Sequence, residues 1–166
     1  MPNLILIKHS APQVVLGISP QDWVLSTEGQ KRCPALARRL QPYQPSILYH
    51  SREAKAVETA NLLASQLGIG HEPAGDLHEH DRSNVPHLRS SEFVSMMELL
   101  FRRPDELVLG LETATAALHR FEQSLSAILA KYPDQTIAVV SHGTVIALWL
   151  AAEPPKSNWT SAISAA

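Results

Sequence analysis

Short apolar runs recur along the chain, separated by longer segments in which apolar residues return every three or four positions. The runs are Leu4–Ile7, Ser46–Tyr49 and Thr136–Val140. Continuous apolar runs of about four to eight residues are typical of strands that are covered on both faces of a sheet. We therefore predict a strand at each of these three positions.

Helical spacing of apolar residues fills most of the remaining chain. It predicts helices at Ser26–Leu40, Ser51–Leu67, Ser91–Phe101, Glu112–Tyr132 and Thr144–Ala152. Ser26 or Thr27 is the capping candidate of the first helix, and Pro34 inside that helix predicts a kink. Ser51 is expected to cap the second helix, and Gly68 to end it in a left-handed conformation.

Two segments show no clear periodicity. Gly70–Leu88 is polar, rich in histidine and interrupted by prolines and glycines, so we expect most of it to be loop. The tail from Glu153 specifies no element. Because neither an internal repeat nor a second hydrophobic pattern is present, residues 1–166 are predicted to form a single domain.

Strands that alternate with helices predict a mostly parallel central sheet with helices on both faces, a three-layer α/β/α sandwich. Ligands of such sheets bind beyond the carboxyl ends of the strands. Polar residues follow all three predicted strands, namely Lys8, His9 and Ser10, then His50 and Ser51, then Ser141, His142 and Gly143. We expect these groups to converge at one edge of the sheet.

Composition restricts the function classes. The chain has 166 residues, a hydrophobic fraction of 45%, a charged fraction of 18% and a formal net charge of -2. This balance provides no overall positive field for nucleic acid or an anionic membrane, so any anion site must be local. With the single cysteine Cys33 and no apolar span or signal-like segment, we expect a cytoplasmic protein. The oligomeric state is not specified.

Two histidines after strands suit phosphoryl transfer, in which one imidazole attacks phosphorus while the other stabilises charge on the oxygens. His9 and His142 are the candidates, because a neutral imidazole is a competent nucleophile near pH 7. Lys8 and Lys55 are the candidate cations for the phosphate oxygens. Lys55 also lies in the first turn of its predicted helix, where the helix dipole adds partial positive charge.

The segments "LIKHS", "LSTEG", "SREAKAVETA", "LHEHD" and "VVSHG" resemble, in order and spacing, the motif series of the histidine phosphatase superfamily, also called the phosphoglycerate mutase-like family. The resemblance runs from Leu4 to about Leu150. It implies a phosphoglycerate mutase-like fold, no metal or organic cofactor, and a phosphorylated small molecule or phosphoprotein as substrate. The implied reaction is hydrolysis of a phosphomonoester or a phosphorylated protein side chain.

The resemblance also assigns roles. His9 matches the histidine that becomes phosphorylated, His142 the second histidine, and Glu79 the proton donor. The implied phosphate-binding positions are Lys8, Ser10, Lys55 and Gly143. For the proton donor, the neighbouring Glu72, Asp76 and Asp81 stay open as alternatives.

Three positions depart from the family pattern. Lys8 and Lys55 stand where the family has arginine, and Ser10 stands where it has glycine. Lysine keeps the charge but loses the planar fork that binds phosphate through two parallel hydrogen bonds. The alternative function is therefore a catalytically weak or inactive member of the fold that binds a phosphorylated ligand.

A different hypothesis concerns the residues His78, Glu79, His80, Asp81 and His87, since imidazoles and carboxylates at close spacing can hold zinc. The spacing lacks a defined metal-binding pattern, such as two histidines one helical turn apart. We therefore expect no metal site there.

Overall fold

Five parallel strands form the central sheet of the computed structural model, which describes residues 4–152 and, as backbone only, residues 159–164. In chain order they are β1 (Leu4–Lys8), β2 (Ile47–His50), β3 (Gly70–Pro73), β4 (Ile137–Ser141) and β5 (Trp159–Ser164). Their order across the sheet is β3-β2-β4-β1-β5. Lys8 at the end of β1 pairs with Ser141 at the end of β4, so both strands finish at the same edge.

Among the described residues, five α-helices connect or follow the strands, namely α1 (Thr27–Leu40), α2 (Ala54–Leu67), α3 (Ser90–Arg102), α4 (Ala114–Lys131) and α5 (Gly143–Ala152). Short 3-10 turns occur at Pro20–Asp22 and Gln41–Tyr43. Within residues 4–152 and 159–164, none of the helices has the length and apolar character needed to cross a bilayer.

Helix termini partly follow the sequence prediction. The Ser26 hydroxyl accepts a hydrogen bond from the Gly29 amide at 3.0 Å, which confirms Ser26 as the cap of α1. Gly68 ends α2 in the left-handed conformation, as predicted. The prediction that Ser51 caps α2 is wrong, because the helix begins at Ala54 and Glu53 occupies the cap position. Pro34 lies inside α1, and the kink stays a prediction.

Alternate side chains of each central strand enter two separate cores. Leu4 and Leu6 pack with α4 and α5 on one face, whereas Ile5 and Ile7 pack with α1 and α2 on the other. All four side chains are buried, and full burial of such a side chain contributes about 1.5–3 kcal/mol. The two cores confirm the predicted α/β/α layers.

The sheet has two strands that the apolar pattern did not predict. β3 lies within the segment Gly70–Leu88, which was expected to be mostly loop, and all four of its residues are exposed. β5 lies in the tail from Glu153, for which no element was predicted. Both occupy edges of the sheet, where pairing through backbone hydrogen bonds needs no apolar run.

Candidate active site

The carboxyl ends of β1, β2 and β4 bring His9, Ser51 and His142 together. The His9 amide donates to the Ser141 carbonyl at 2.9 Å, and the Ser51 amide donates to the Val140 carbonyl at 3.0 Å. The rings of His9 and His142 lie with their centroids 5.1 Å apart. The expected convergence of strand-end groups is therefore present for both histidines.

His9 has one ring nitrogen engaged. Its Nδ1 lies 2.8 Å from the Ser10 carbonyl oxygen, and because a carbonyl only accepts, Nδ1 carries the proton. In the neutral ring, Nε2 then presents a lone pair. Burial lowers the pKa of His9, and the nearby Lys55 and Lys8 add to this effect, so the ring is neutral near pH 7.

His142 lies in a more enclosed position. Its side chain is 0% exposed, and its Nε2 is 2.8 Å from the Ser51 hydroxyl oxygen. Its Nδ1 has no hydrogen-bond partner among the described residues. Burial lowers the pKa of His142 to about 3, against the opposing influence of Glu53 and Glu79, so this imidazole is also neutral near pH 7.

The Glu79 carboxylate accepts three backbone hydrogen bonds. Oε2 accepts from the Thr144 amide at 3.1 Å, and Oε1 accepts from the Val145 amide at 3.2 Å and the His80 amide at 2.9 Å. Arg82 Nη2 lies 3.6 Å from Oε2. Burial alone would raise the pKa of Glu79, but these groups and the neighbouring His142 lower it to about 2. Because His142 is neutral, Arg82 and the amides maintain the carboxylate near pH 7.

The two lysines differ in their surroundings. Lys8 is exposed, and its side chain runs beside Gly143, where an added Cβ would lie 3.6 Å from Lys8 Cε. Lys55 is buried, and its Nζ donates to the Pro20 carbonyl at 2.7 Å and to Glu53 Oε2. The ammonium of Lys55 therefore already has two partners.

Ser10, which follows β1, is buried and forms hydrogen bonds with α1 and α2. Its hydroxyl donates to the Gly29 carbonyl at 2.7 Å, and its amide donates to the Thr59 hydroxyl at 3.0 Å. These bonds tie the end of β1 to α1 and α2. A contact of Ser10 with phosphate stays a prediction, and in this arrangement its hydroxyl proton is already used.

Glu53 was not singled out from the sequence. Its Oε1 accepts from the Glu79 amide at 2.8 Å and lies 3.5 Å from His142 Nε2, while Oε2 contacts Lys55. Burial alone would raise the pKa of Glu53, but His142, Lys55 and the Glu79 amide lower it. The only sequence signal was an acidic residue two positions before Lys55, which usually means a solvated helix end.

Arg120 holds the segment that carries Glu79. Its guanidinium donates to the carbonyls of Asp76, His78 and Glu79, each at 2.9 Å. The same guanidinium binds Glu112 through two nitrogens, at 2.6 and 3.0 Å. One side chain of α4 thus fixes the backbone on which the candidate acid is placed.

In the histidine-rich segment, His80 and Asp81 each have hydrogen-bond partners within the protein. His80 Nε2 donates to the Glu112 carbonyl at 2.9 Å, and Asp81 Oδ1 accepts from the amide and hydroxyl of Ser83. Across the part of the chain that the structure describes, no group of three or more His, Cys, Asp or Glu side chains is arranged to hold a metal ion.

Together, the fold and the site define a parallel α/β protein with two adjacent imidazoles, carboxylates and ammonium groups at the carboxyl edge of its sheet. The chain belongs to the histidine phosphatase superfamily (branch 1), whose sequence profile matches residues 4–161. A search of curated protein sequences gives no match.

Solved structures of several phosphatases and of a mutase share this fold. A mycobacterial glucosyl-3-phosphoglycerate phosphatase is 21% identical, with a TM-score of 0.73 over 89% of this chain and 76% of the other. The alpha-ribazole phosphatase from Shigella flexneri is 22% identical, with a TM-score of 0.67 over 89% and 78%. The phosphoglycerate mutase from Bacillus anthracis is 18% identical, with a TM-score of 0.70 over 90% and 78%.

Proposed function

We propose that this protein is a phosphatase that hydrolyses a phosphomonoester, or a phosphorylated protein side chain, through a phosphohistidine on His9. The observation that carries the proposal is the hydrogen bond from His9 Nδ1 to the Ser10 carbonyl, which leaves Nε2 with a free lone pair beside His142. A neutral imidazole held in one tautomer at a strand end is prepared for attack on phosphorus.

In the first step, His9 Nε2 forms a bond to phosphorus and the bond to the leaving oxygen breaks. Lys8 and Lys55 are the candidate cations for the phosphate oxygens. His142 Nδ1 is enclosed but has no hydrogen-bond partner among the described residues, so it could donate to a phosphate only if the ligand reached this buried position. Cationic and hydrogen-bonding groups that are already in place cost no reorganisation when charge moves during transfer. They therefore stabilise the transition state more than water would.

The leaving oxygen needs a proton, and Glu79 is ionised before substrate binds. A bound phosphate places negative charge close to Glu79 and raises its pKa, so Glu79 takes the proton of a monoanionic phosphate ester and passes it to the leaving oxygen. In the second step, water attacks the phosphohistidine and Glu79 accepts the proton of that water. The bond from phosphorus to Nε2 then breaks, which releases phosphate and restores His9.

The substrate class is proposed from the names of structurally similar phosphatases. Of the phosphatases described above, one is named for glucosyl-3-phosphoglycerate, a small phosphorylated molecule, and the other is an alpha-ribazole phosphatase. A phosphorylated small molecule is therefore the first class to test, and a phosphorylated protein side chain is the second.

Trapping of the intermediate tests the mechanism. After incubation with acetyl phosphate, mass spectrometry is expected to find an acid-labile, base-stable phosphate on His9. His50→Ala is a matched control, because His50 also ends a strand and its Nδ1 lies 2.9 Å from the Ser51 carbonyl. The label should persist in that variant and disappear in His9→Ala. Label on Ser10 or Ser51, with His9 unmodified, would remove the proposed nucleophile.

A second candidate function is a binder of phosphorylated ligands without turnover. The observation in its favour is that the ammonium of Lys55, which replaces a family arginine, is already held by Glu53 and the Pro20 carbonyl. A panel of phosphomonoesters and phosphohistidine peptides separates the two functions. Binding of vanadate or phosphate without hydrolysis of any of them would favour the binder.

A further inference from the structure

Glu53 stands at the amino end of α2 but does not act as its cap. Its backbone has the extended conformation of a capping residue, yet its side chain accepts no hydrogen bond from the first turn of the helix. The carboxylate turns instead towards the strand ends, where it contacts Lys55 and lies 3.5 Å from His142 Nε2. Only 12% of the side chain is exposed.

This position belongs to the proposed phosphate pocket. Lys55 is a candidate cation for the phosphate oxygens, and His142 is the second candidate histidine, whose ring lies beside that of His9. The Glu53 carboxylate contacts Lys55 and lies next to His142. It therefore supplies negative charge where a bound phosphate would also place its own.

Binding of a phosphate oxygen to Lys55 has a direct consequence for Glu53. The carboxylate must share or release Lys55, its only permanently charged partner among the described residues, while a new negative charge arrives close by. A largely buried carboxylate that loses its cation is strongly unfavourable unless another cation replaces it. A ligand that brings its own positive charge meets this need, and a ligand without one does not.

We propose that Glu53 is a specificity-determining residue, which makes this pocket favour phosphorylated molecules that carry a cationic group close to the phosphate. The cation would pair with Glu53 while the phosphate takes Lys55. The proposal rests on the proposed function, because it assumes that the phosphate of the substrate binds beside His9. It names a substrate class, namely zwitterionic phosphate esters of the aminoethyl type.

The length of the ligand follows from the contacts. Opposite charges affect each other strongly within about 4–6 Å, and an aminoethyl group places its nitrogen at about that distance from phosphorus. Lys55 contacts Glu53 and is also a candidate ligand of the phosphate. A short spacer between the phosphate and the cationic group of the ligand therefore suffices. A longer spacer would carry the cation past the carboxylate.

Two phosphonates of nearly equal size test the proposal without turnover. We would titrate 2-aminoethylphosphonate and propylphosphonate calorimetrically into the wild-type protein, Glu53→Gln and Glu28→Gln. The bond from carbon to phosphorus in both probes is not a phosphate ester and stays intact. Glu28 is the matched control, because its carboxylate is 62% exposed and pairs with Arg32 on the surface of α1.

The wild-type protein should bind 2-aminoethylphosphonate about tenfold more tightly than propylphosphonate, as expected for one partly buried charge pair. In Glu53→Gln the ratio should approach one, chiefly because propylphosphonate binds more tightly once the competing charge is gone. Glu28→Gln should keep the wild-type ratio. A wild-type ratio near one, an unchanged ratio in Glu53→Gln, or no binding of either phosphonate would overturn the proposal.

Loss of the Lys55 ion pair could also disturb folding, so a thermal melt accompanies each titration. If Glu53→Gln does not fold, Glu53→Asp takes its place, because it keeps the charge but withdraws it by one methylene group. Its ratio should lie between one and that of the wild type, and an unchanged or larger ratio overturns the proposal. A phosphonate preference without label on His9 would refute the phosphatase mechanism while leaving the role of Glu53 intact.

Discussion

The two histidines carry the same ring but have different surroundings. His9 is half-buried and has a free Nε2, whereas His142 is fully enclosed and has its Nε2 next to the Ser51 hydroxyl. Only His9 therefore combines access with a free lone pair.

The lysine Lys55 is constrained in a different way, because two of its three donors are used by Glu53 and the Pro20 carbonyl.

Restoring arginine at both lysine positions should raise turnover. A guanidinium has five donors, so at position 55 it could keep the contacts of Lys55 and still bind phosphate through a fork. For Lys8→Arg combined with Lys55→Arg we expect kcat/KM to increase about tenfold, which corresponds to about 1.4 kcal/mol of additional transition-state stabilisation. Steady-state kinetics on the best phosphomonoester of the panel would measure it.

The control for this prediction is Lys131→Arg, an exposed position at the end of α4, which should leave the kinetics unchanged. The single substitutions are expected to give less than the double one, because one arginine beside one lysine displaces the phosphate. A fall in activity of the double variant would show that the pocket is built around lysine.

The connection between β3 and α3 has no regular structure around Glu79, yet it is held firmly. Arg120 on α4 donates to three backbone carbonyls between Asp76 and Glu79. Glu112 accepts hydrogen bonds both from Arg120 and from the Asp81 amide. The side chains of Arg120 and Glu112 are only 14% and 16% exposed. The position of Glu79 thus depends on a helix that contributes no candidate catalytic residue.

Removal of this support should affect stability and activity together. Arg120→Gln leaves Glu112 without its cation and several carbonyls without donors, so we expect the free energy of unfolding to fall by about 3–5 kcal/mol. Turnover should fall beyond the loss of folded protein, because Glu79 loses its fixed position. Urea denaturation and kcat measurements on the folded fraction would test both effects.

Arg103→Gln provides the comparison, because Arg103 and its partner Glu106 are 58% and 62% exposed. Its effect on unfolding should stay below about 1 kcal/mol. If Arg120→Gln lowered stability but left kcat of the folded protein unchanged, Arg120 would be a structural residue without influence on the position of Glu79.

Two central strands of the sheet could be predicted from their apolar runs, and the edge strand β3 could not. β1 and β4 could be predicted because Leu4–Ile7 and all five residues of β4 are buried. β3 was not, because its residues are exposed and its pairing with β2 uses backbone groups that every sequence has. The orientation of Glu53 was hidden for a similar reason, since an acidic residue at a helix start usually faces water.

The molecule as a whole links its stability to the protonation of the site. In the folded protein the pKa of His142 is lowered to about 3 from the ordinary value of 6.5, and the pKa of His9 is lowered as well. Between about pH 3 and about pH 6.5, the unfolded chain therefore binds more protons at His142 than the folded protein does. Stability is therefore greatest above about pH 6.5 and falls as the pH is lowered.

This linkage predicts that the free energy of unfolding decreases between about pH 7 and about pH 4.5, in the window set by the histidines. His142→Asn should reduce the slope, because one group that must stay neutral has been removed. His119→Asn, at an exposed position of α4, should keep the wild-type slope. Denaturant titrations at several pH values would measure it.

An equal slope in His142→Asn and wild type would contradict the assignment of acid sensitivity to His142. Glu79 acts in a lower range, because its pKa is lowered from 4.5 to about 2. Its contribution to stability is present above about pH 4.5 and is lost only at more acidic values. The two residues can therefore be separated by pH.

The hydrogen bonds from the amides of Thr144 and Val145 to Glu79 give this carboxylate a second, structural role. It accepts from amides of the first turn of α5 from outside the helix, in the manner of a cap, and α5 begins at Gly143, directly after His142. A variant without phosphate chemistry would still gain stability from an acceptor at this position. Glu79 would then be retained for its contribution to stability, even where the activity is lost.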